Sequence, residues 1–113
     1  MNYAIVTTEH FESNFKRLSK KYRSLHYDLE ILIKGLYANP TMGDDLGNNI
    51  RKVRMAIASK NRGKSGGARV ITCNVLIDVV NTDIYLLAIY DKSEQDSITK
   101  KEIEYLKIRN GLI

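Results

Sequence analysis

The stretch ARVITCNVLIDVVNTDIYLLAIY, from Ala68 to Tyr90, decides the fold. It holds two apolar runs rich in β-branched residues, Ala68 to Val80 and Asp83 to Tyr90. Asn81-Thr82-Asp83 between them reads as a turn. Neither run alternates apolar with polar, so both read as central strands, covered on two faces. Upstream, residues 50–59 do alternate. Val53, Met55 and Ile57 point one way, and Lys52 and Arg54 point the other. Between this strand and Ala68 lies Ser59 to Gly67, SKNRGKSGG, a basic, glycine-rich connection.

Toward the N-terminus the period changes. Residues 3–8 form a short β-prone run. Phe11, Phe15, Leu18 and Tyr22 then share one face of a helix, with Thr8 as its cap. Ser24 caps a second helix with the stripe Leu25, Leu29, Leu32, Ile33 and Leu36, which Asn39-Pro40 stops. Helices joined this closely form a hairpin. Thr41 to Asn49, with Gly43, Gly47 and a run of Asp and Asn, reads as loop. Thr99 to Asn110 reads as a last helix, with Ile103, Leu106 and Asn110 on one face and Gly111 ending it. The expected class is α+β in the order β-α-α-β-β-β-α. It is a small antiparallel sheet with a helical hairpin on one face and a C-terminal helix at its edge. Residues 1–113 read as one domain.

Composition narrows the function. Hydrophobic residues make up 43% of the chain, enough for one core without disulfides or metal. Cys73 is the only cysteine, so no internal disulfide can form. A small buried thiol there suits a reducing cytosol. Met1 to Thr8 has neither a basic start nor a long apolar stretch, so no signal peptide is expected. No run approaches the roughly 18 apolar residues of a membrane span. Two histidines and one cysteine do not make a metal site, and neither metal nor cofactor is expected.

The formal net charge is +5. Its placement matters more. From Leu46 to Ile77 there is no Asp or Glu, yet Arg51, Lys52, Arg54, Lys60, Arg62, Lys64 and Arg69 all fall there. Acidic residues cluster at Glu9 to Glu30, Asp44–Asp45 and Asp91 to Glu104. A segment of one sign implies a polyanionic partner, against the plain alternative of a solvated basic face.

Gly63-Lys64-Ser65 invites comparison with a nucleotide-binding P-loop. That motif needs a glycine at position 58, where Ala58 stands, and a following helix, where a strand is expected. The P-loop is therefore rejected, although a glycine-rich backbone among cations can still approach a phosphate. Lys52 and Arg54 project from one strand face, and Arg69 opens the neighbouring strand. If these strands pair, three cations converge on a patch able to hold a scissile phosphate and stabilise charge in its transition state. Adjacent cations destabilise one another's protonated forms, so a lysine among them can move protons. The same patch also fits electrostatic binding without chemistry. Tyr90 is either a stacking platform for a base or a half-buried edge aromatic. His10 and His26 lie far in sequence from the basic segment and read as surface or capping residues. No Ser/His/Asp or Cys/His pairing is visible, so catalysis would run on Lys, Arg and Tyr.

Taken together these segments resemble the RelE-superfamily toxins, and among them the HigB-like branch. Ile50-Arg-Lys-Val-Arg-Met-Ala56 followed by Ser59 to Ile71 is similar to that branch's basic strand, glycine-rich loop and next strand. Ile84 to Glu94, IYLLAIYDKSE, is similar to its last-strand signature. Phe15, Leu18, Ser19, Tyr22, Asn39-Pro40 and Gly43 extend the likeness over nearly the whole chain. The paired Gly-Lys-x-Gly-Gly-x-Arg and Tyr-x-Lys elements carry its specificity.

The resemblance implies the RelE-like β-α-α-β-β-β-α fold and a toxin of a toxin–antitoxin pair. The implied activity is that of a ribosome-dependent mRNA endonuclease in the cytoplasm, driving the ribose 2′-OH onto the adjacent phosphate without a metal. The implied partners are the ribosome, mRNA and a cognate antitoxin, expected to be a helix-turn-helix protein. By position, Lys52, Arg54, Arg69 and Tyr90 fall to the catalytic set. Arg51, Lys60, Arg62, Lys64 and Lys92 fall to RNA and ribosome binding. Asp91 stands where some relatives carry a histidine, which leaves the general acid and base unassigned. Two other readings stay open at this point: a non-enzymatic ParE-like inhibitor of DNA gyrase, and a nucleic-acid-binding partner that helps an antitoxin bind its operator.

Overall fold

A computed structural model describes residues 1–61, 63 and 66–112. The elements run β1 (Asn2–Thr7), α1 (Glu9–Lys21), α2 (Leu25–Ala38), β2 (Asp44–Gly47), β3 (Ile50–Met55), β4 (Ala68–Leu76), β5 (Asn81–Asp91) and α3 (Lys100–Arg109), with a short 3-10 turn at Ala58–Lys60. The class is α+β, as expected. The five strands form one sheet in the order β1-β5-β4-β3-β2. The two apolar runs are indeed central strands, paired antiparallel over nine residues of β4. Among the described residues no helix is long and apolar enough to cross a membrane.

Alternation in the central strands separates two cores. Val53, Met55, Val70, Ile84 and Leu86 face the α1–α2 hairpin and pack with Phe11, Leu18, Leu25, Leu32 and Leu36. Ile50, Ile71, Cys73, Ala88 and Tyr90 face the other way and pack with Ile103 and Leu106 of α3. The Thr8 cap forms as the sequence suggests. Its hydroxyl accepts from Phe11 N at 3.3 Å and donates to Leu86 O at 2.9 Å, joining the start of α1 to β5. Cys73 is buried, and burial pushes its thiol pKa up, so it stays protonated and unreactive.

Five expectations need correction. The sheet is mixed: β1 runs parallel to β5, because the intervening hairpin lies on one face and returns the chain to the far edge. The helix α3 covers the second face rather than an edge. Its Ile103 and Leu106 need an apolar surface, and Ile71 and Ala88 supply it. Thr41 to Asn49 contains a strand, β2, fully exposed, which pairs with β3 through Asp44 opposite Lys52 and Asp45 opposite Arg51. Its turn is Asn48-Asn49, both at positive φ (54° and 64°), the signature of a two-residue type I′ hairpin. The β4–β5 turn falls four residues early, because the Asp78 carboxylate accepts from Val80 N and Asn81 N, both at 2.9 Å, and bends the chain there. Finally, Ser24 makes no capping bond. Its hydroxyl donates to Asp28 Oδ2 at 2.7 Å instead.

Candidate nucleic-acid site

Strand register builds the site. Arg54 of β3 lies opposite Arg69 of β4, and Arg69 lies opposite Tyr90 of β5. The three side chains therefore form one row across the α3 face of the sheet. Lys52 stands two residues before Arg54 on the same strand face. The row has a floor and a rim. Arg69 is 6% exposed and Tyr90 is 4% exposed, whereas Arg54 is open to solvent and Lys52 half-open. The Arg69 Nη1 donates to Ala68 O at 3.2 Å. Burial pushes the Tyr90 hydroxyl pKa up, against the opposing pull of the Arg69 charge. That hydroxyl is buried without a hydrogen-bond partner among the described residues. Beside the row, Lys52 lines a groove of about 600 Å³ with Ile50, Ile98, Ile103, Lys100 and Lys107.

Two cations directly opposite on paired strands repel each other. Among the described residues no carboxylate lies in ion-pair contact with Lys52 or Arg54. An anion placed between such cations lowers their mutual repulsion.

Three other cations expected at the site, Arg51, Lys60 and Lys92, go elsewhere. Arg51 points to the opposite face of β3. Its Nη1 donates to Thr41 O at 2.8 Å, and Nη2 lies 3.6 Å from Asp45. The Lys92 ammonium donates to Asp96 O and Oδ1 at 2.8 and 3.0 Å. The Lys60 ammonium donates to Asp91 at 2.9 Å, on the α1–α2 side. Arg62, Lys64 and Ser65 lie outside the described residues. Tyr90 belongs to a central strand and its ring is covered, so it is not an edge aromatic and has no open face for stacking a base.

The model of the RelE toxin of the RelE/RelB toxin–antitoxin system matches residues 9–111. The chain belongs to the RelE toxin family. It is accordingly a toxin of a toxin–antitoxin system, and its partner is an antitoxin. No curated protein matches the chain.

In this RelE-family toxin the sequence reading missed a set of polar residues on the reverse face. Tyr22 passes in the sequence for another member of the α1 apolar stripe, yet its hydroxyl donates to Asp91 Oδ2. Asp91 also accepts from Ser93 N at 2.9 Å and Ser93 Oγ at 2.7 Å. Burial alone pushes its pKa up, but the hydrogen bonds from Tyr22, Lys60 and Ser93 outweigh that and hold the carboxyl well below the usual range. Asp28, buried on α2, accepts from Ala58 N with both oxygens at 3.2 Å. Ser24 Oγ accepts from Ser59 N at 2.9 Å. The only advance signal is the i, i+4 spacing of Ser24 and Asp28 on one helix face, which shows that they can meet but not what they hold.

Proposed function

We propose that this toxin is a HigB-like, ribosome-dependent mRNA endonuclease of the cytoplasm, neutralised by a helix-turn-helix antitoxin. The observation that carries the reading is the row Arg54–Arg69–Tyr90 with Lys52 beside it. A phosphate seated on the rim meets Arg54 and Lys52 first and Arg69 beneath them. Those charges gain most when the phosphate takes on extra negative charge, as it does when a ribose 2′-OH attacks. Arg69, already buried and held, needs no reorganisation at that moment. Lys52 and the Tyr90 hydroxyl are the proton-moving groups nearest the row. Entry into the site requires the substrate to open access to that hydroxyl. The groove beside Lys52, lined by Ile50, Ile98 and Ile103 with three lysines and one carboxylate, Glu104, suits the nucleotide that flanks the cut.

The experiment is induction of the toxin without its antitoxin, followed by mapping of RNA 5′ ends. New ends within translated reading frames are expected, together with growth arrest. Intact mRNA with inhibited gyrase or broken DNA would replace this reading with the ParE-like one.

A further inference from the structure

Asp91 stands one residue beyond the candidate row and serves the opposite face of the sheet. Its carboxylate is completely buried, and the Lys60 ammonium that pairs with it belongs to a side chain only 9% exposed. The same ammonium lies 5.2 Å from the centre of the Tyr22 ring. Lys60 opens the basic segment, and Gly67 closes it. Gly67 O accepts from Lys92 N at 3.1 Å. Both ends of the segment from Lys60 to Gly67 are thus tied to consecutive residues, Asp91 and Lys92, where β5 ends. A third tie comes from the start of α2, where Asp28 and the preceding Ser24 hold Ala58 N and Ser59 N. The closure is tight. A Cβ on Gly67 would lie 2.1 Å from Met55 O, so only glycine fits there.

We propose that Asp91 is a positioning residue: with Lys60 and Tyr22 it latches the basic segment to the end of β5 and holds Arg69 and Tyr90 in place from behind the sheet. The effect on rate rests on the RNA-cleavage reading; the latch itself does not. Asp91 pairs with Ala68 in the strand register, one residue from both Arg69 and Tyr90, so movement of this strand end moves the row directly. A buried ion pair adds little net stability over an apolar pair of the same shape, and its use is to specify one arrangement. Four donors occupy the Asp91 oxygens, which leaves the carboxylate no role as a proton acceptor. Lys60, committed to Asp91, is a structural cation rather than an RNA contact.

The test uses the full chain as wild type, Asp91→Asn, Lys60→Met and the double variant. Thermal unfolding of the four forms a double-mutant cycle. Lys60→Met is expected to lower the midpoint, because Asp91 keeps Tyr22, Ser93 and a longer contact to Lys21 at 3.9 Å but loses its close ammonium, and the double variant to melt above it, because a neutral amide then replaces the carboxylate. Single-turnover cleavage on programmed ribosomes should slow about 100-fold in Asp91→Asn, the scale of a small misplacement of reacting groups. The pH profile of the remaining rate should keep its wild-type shape. If Asp91→Asn does not fold, Tyr22→Phe, which keeps the carboxylate and removes one donor, carries the rate measurement, and a slower rate is again expected. The slope of ribosome affinity against salt should be unchanged in Lys60→Met, whereas a lysine on an RNA phosphate would lower it by about one unit. Additive unfolding effects, a slope lowered by that amount, or loss of one limb of the pH profile in Asp91→Asn would overturn the proposal. If the wild type cut no RNA, the cleavage reading would fail by itself, and the unfolding cycle would decide the latch.

Discussion

Tyr90 and Asp91 are neighbours in the chain, and the sheet sends them to opposite faces under opposite conditions. The Asp91 side is electrostatically complete. A buried carboxylate meets Tyr22, Lys60 and Ser93. The Tyr90 side is incomplete. Its hydroxyl has no partner among the described residues, and Arg69 faces a second guanidinium across the strand pair. Burying a hydroxyl without a partner costs stability, so the Tyr90 hydroxyl and the hydrogen-bonded Asp91 carboxylate contribute to folding with opposite sign. The difference separates two uses of charge in one small protein. On the Asp91 side paired charges fix geometry, and on the other side Lys52 and Arg54 have no ion-pair contact with a carboxylate among the described residues.

The largest expected effect concerns the matched side. The folded-state pKa of Asp91 is depressed, so its contribution to stability is present above the unfolded value of about 4 and is lost as pH falls toward the folded one. Protonation also leaves the Lys60 ammonium buried beside a neutral acid, and breaking such a pair costs about 3–5 kcal/mol. Denaturant unfolding between pH 6 and roughly pH 2 should show a steep acid limb in the wild type, and Asp91→Asn should flatten it. An unchanged limb would mean that other carboxylates set it and that the pair is not the distinguishing feature of this face.

Asp28→Ala should come next. It orphans the part-buried Ala58 N–H and frees the start of the basic segment from α2. A loss of about 1–3 kcal/mol is expected, read as a lower denaturant midpoint. Tyr90→Phe should have the reverse sign. Removing a buried hydroxyl without a partner should raise stability, by about 1 kcal/mol, while cleavage falls. If Tyr90→Phe were destabilised, the hydroxyl would be bonded in the folded state and the contrast between neighbours would weaken.

Much of this contrast could not be read before the structure. Part of the row could. Residue alternation put Lys52 and Arg54 on one face with Arg69 opening the next strand, but the place of Tyr90 opposite Arg69 was hidden, because it depends on a turn four residues before the one expected. The helices were legible from their apolar stripes. The strand β2 was not, because Asp-Asp-Leu-Gly has no β-propensity. It exists through β3, with Asp45 ion-paired to Arg51 at 3.6 Å. The destinations of the lysines were hidden for a related reason. A sequence shows that Lys60 is basic but not that Asp91, 31 residues away, lies within reach. Composition therefore pooled cations that the fold separates: Lys52, Arg54 and Arg69 lie on one face of the sheet, and Arg51 and Lys60 reach carboxylates on the other. Tyr22 was concealed in the same way, since a hydroxyl at the end of an apolar stripe looks like one more core ring.

The central claim of the proposed function is that the Arg54–Arg69–Tyr90 row cleaves RNA and the Asp91 side only supports it, and Arg54→Ala tests it most directly. Arg54 is exposed, so its loss should change stability by no more than about 0.5 kcal/mol. Single-turnover cleavage of mRNA on programmed ribosomes should nonetheless slow by about 100- to 1,000-fold, the usual effect of removing one preorganised charge donor. A folded Arg54→Ala variant that cuts at the wild-type rate would contradict the account.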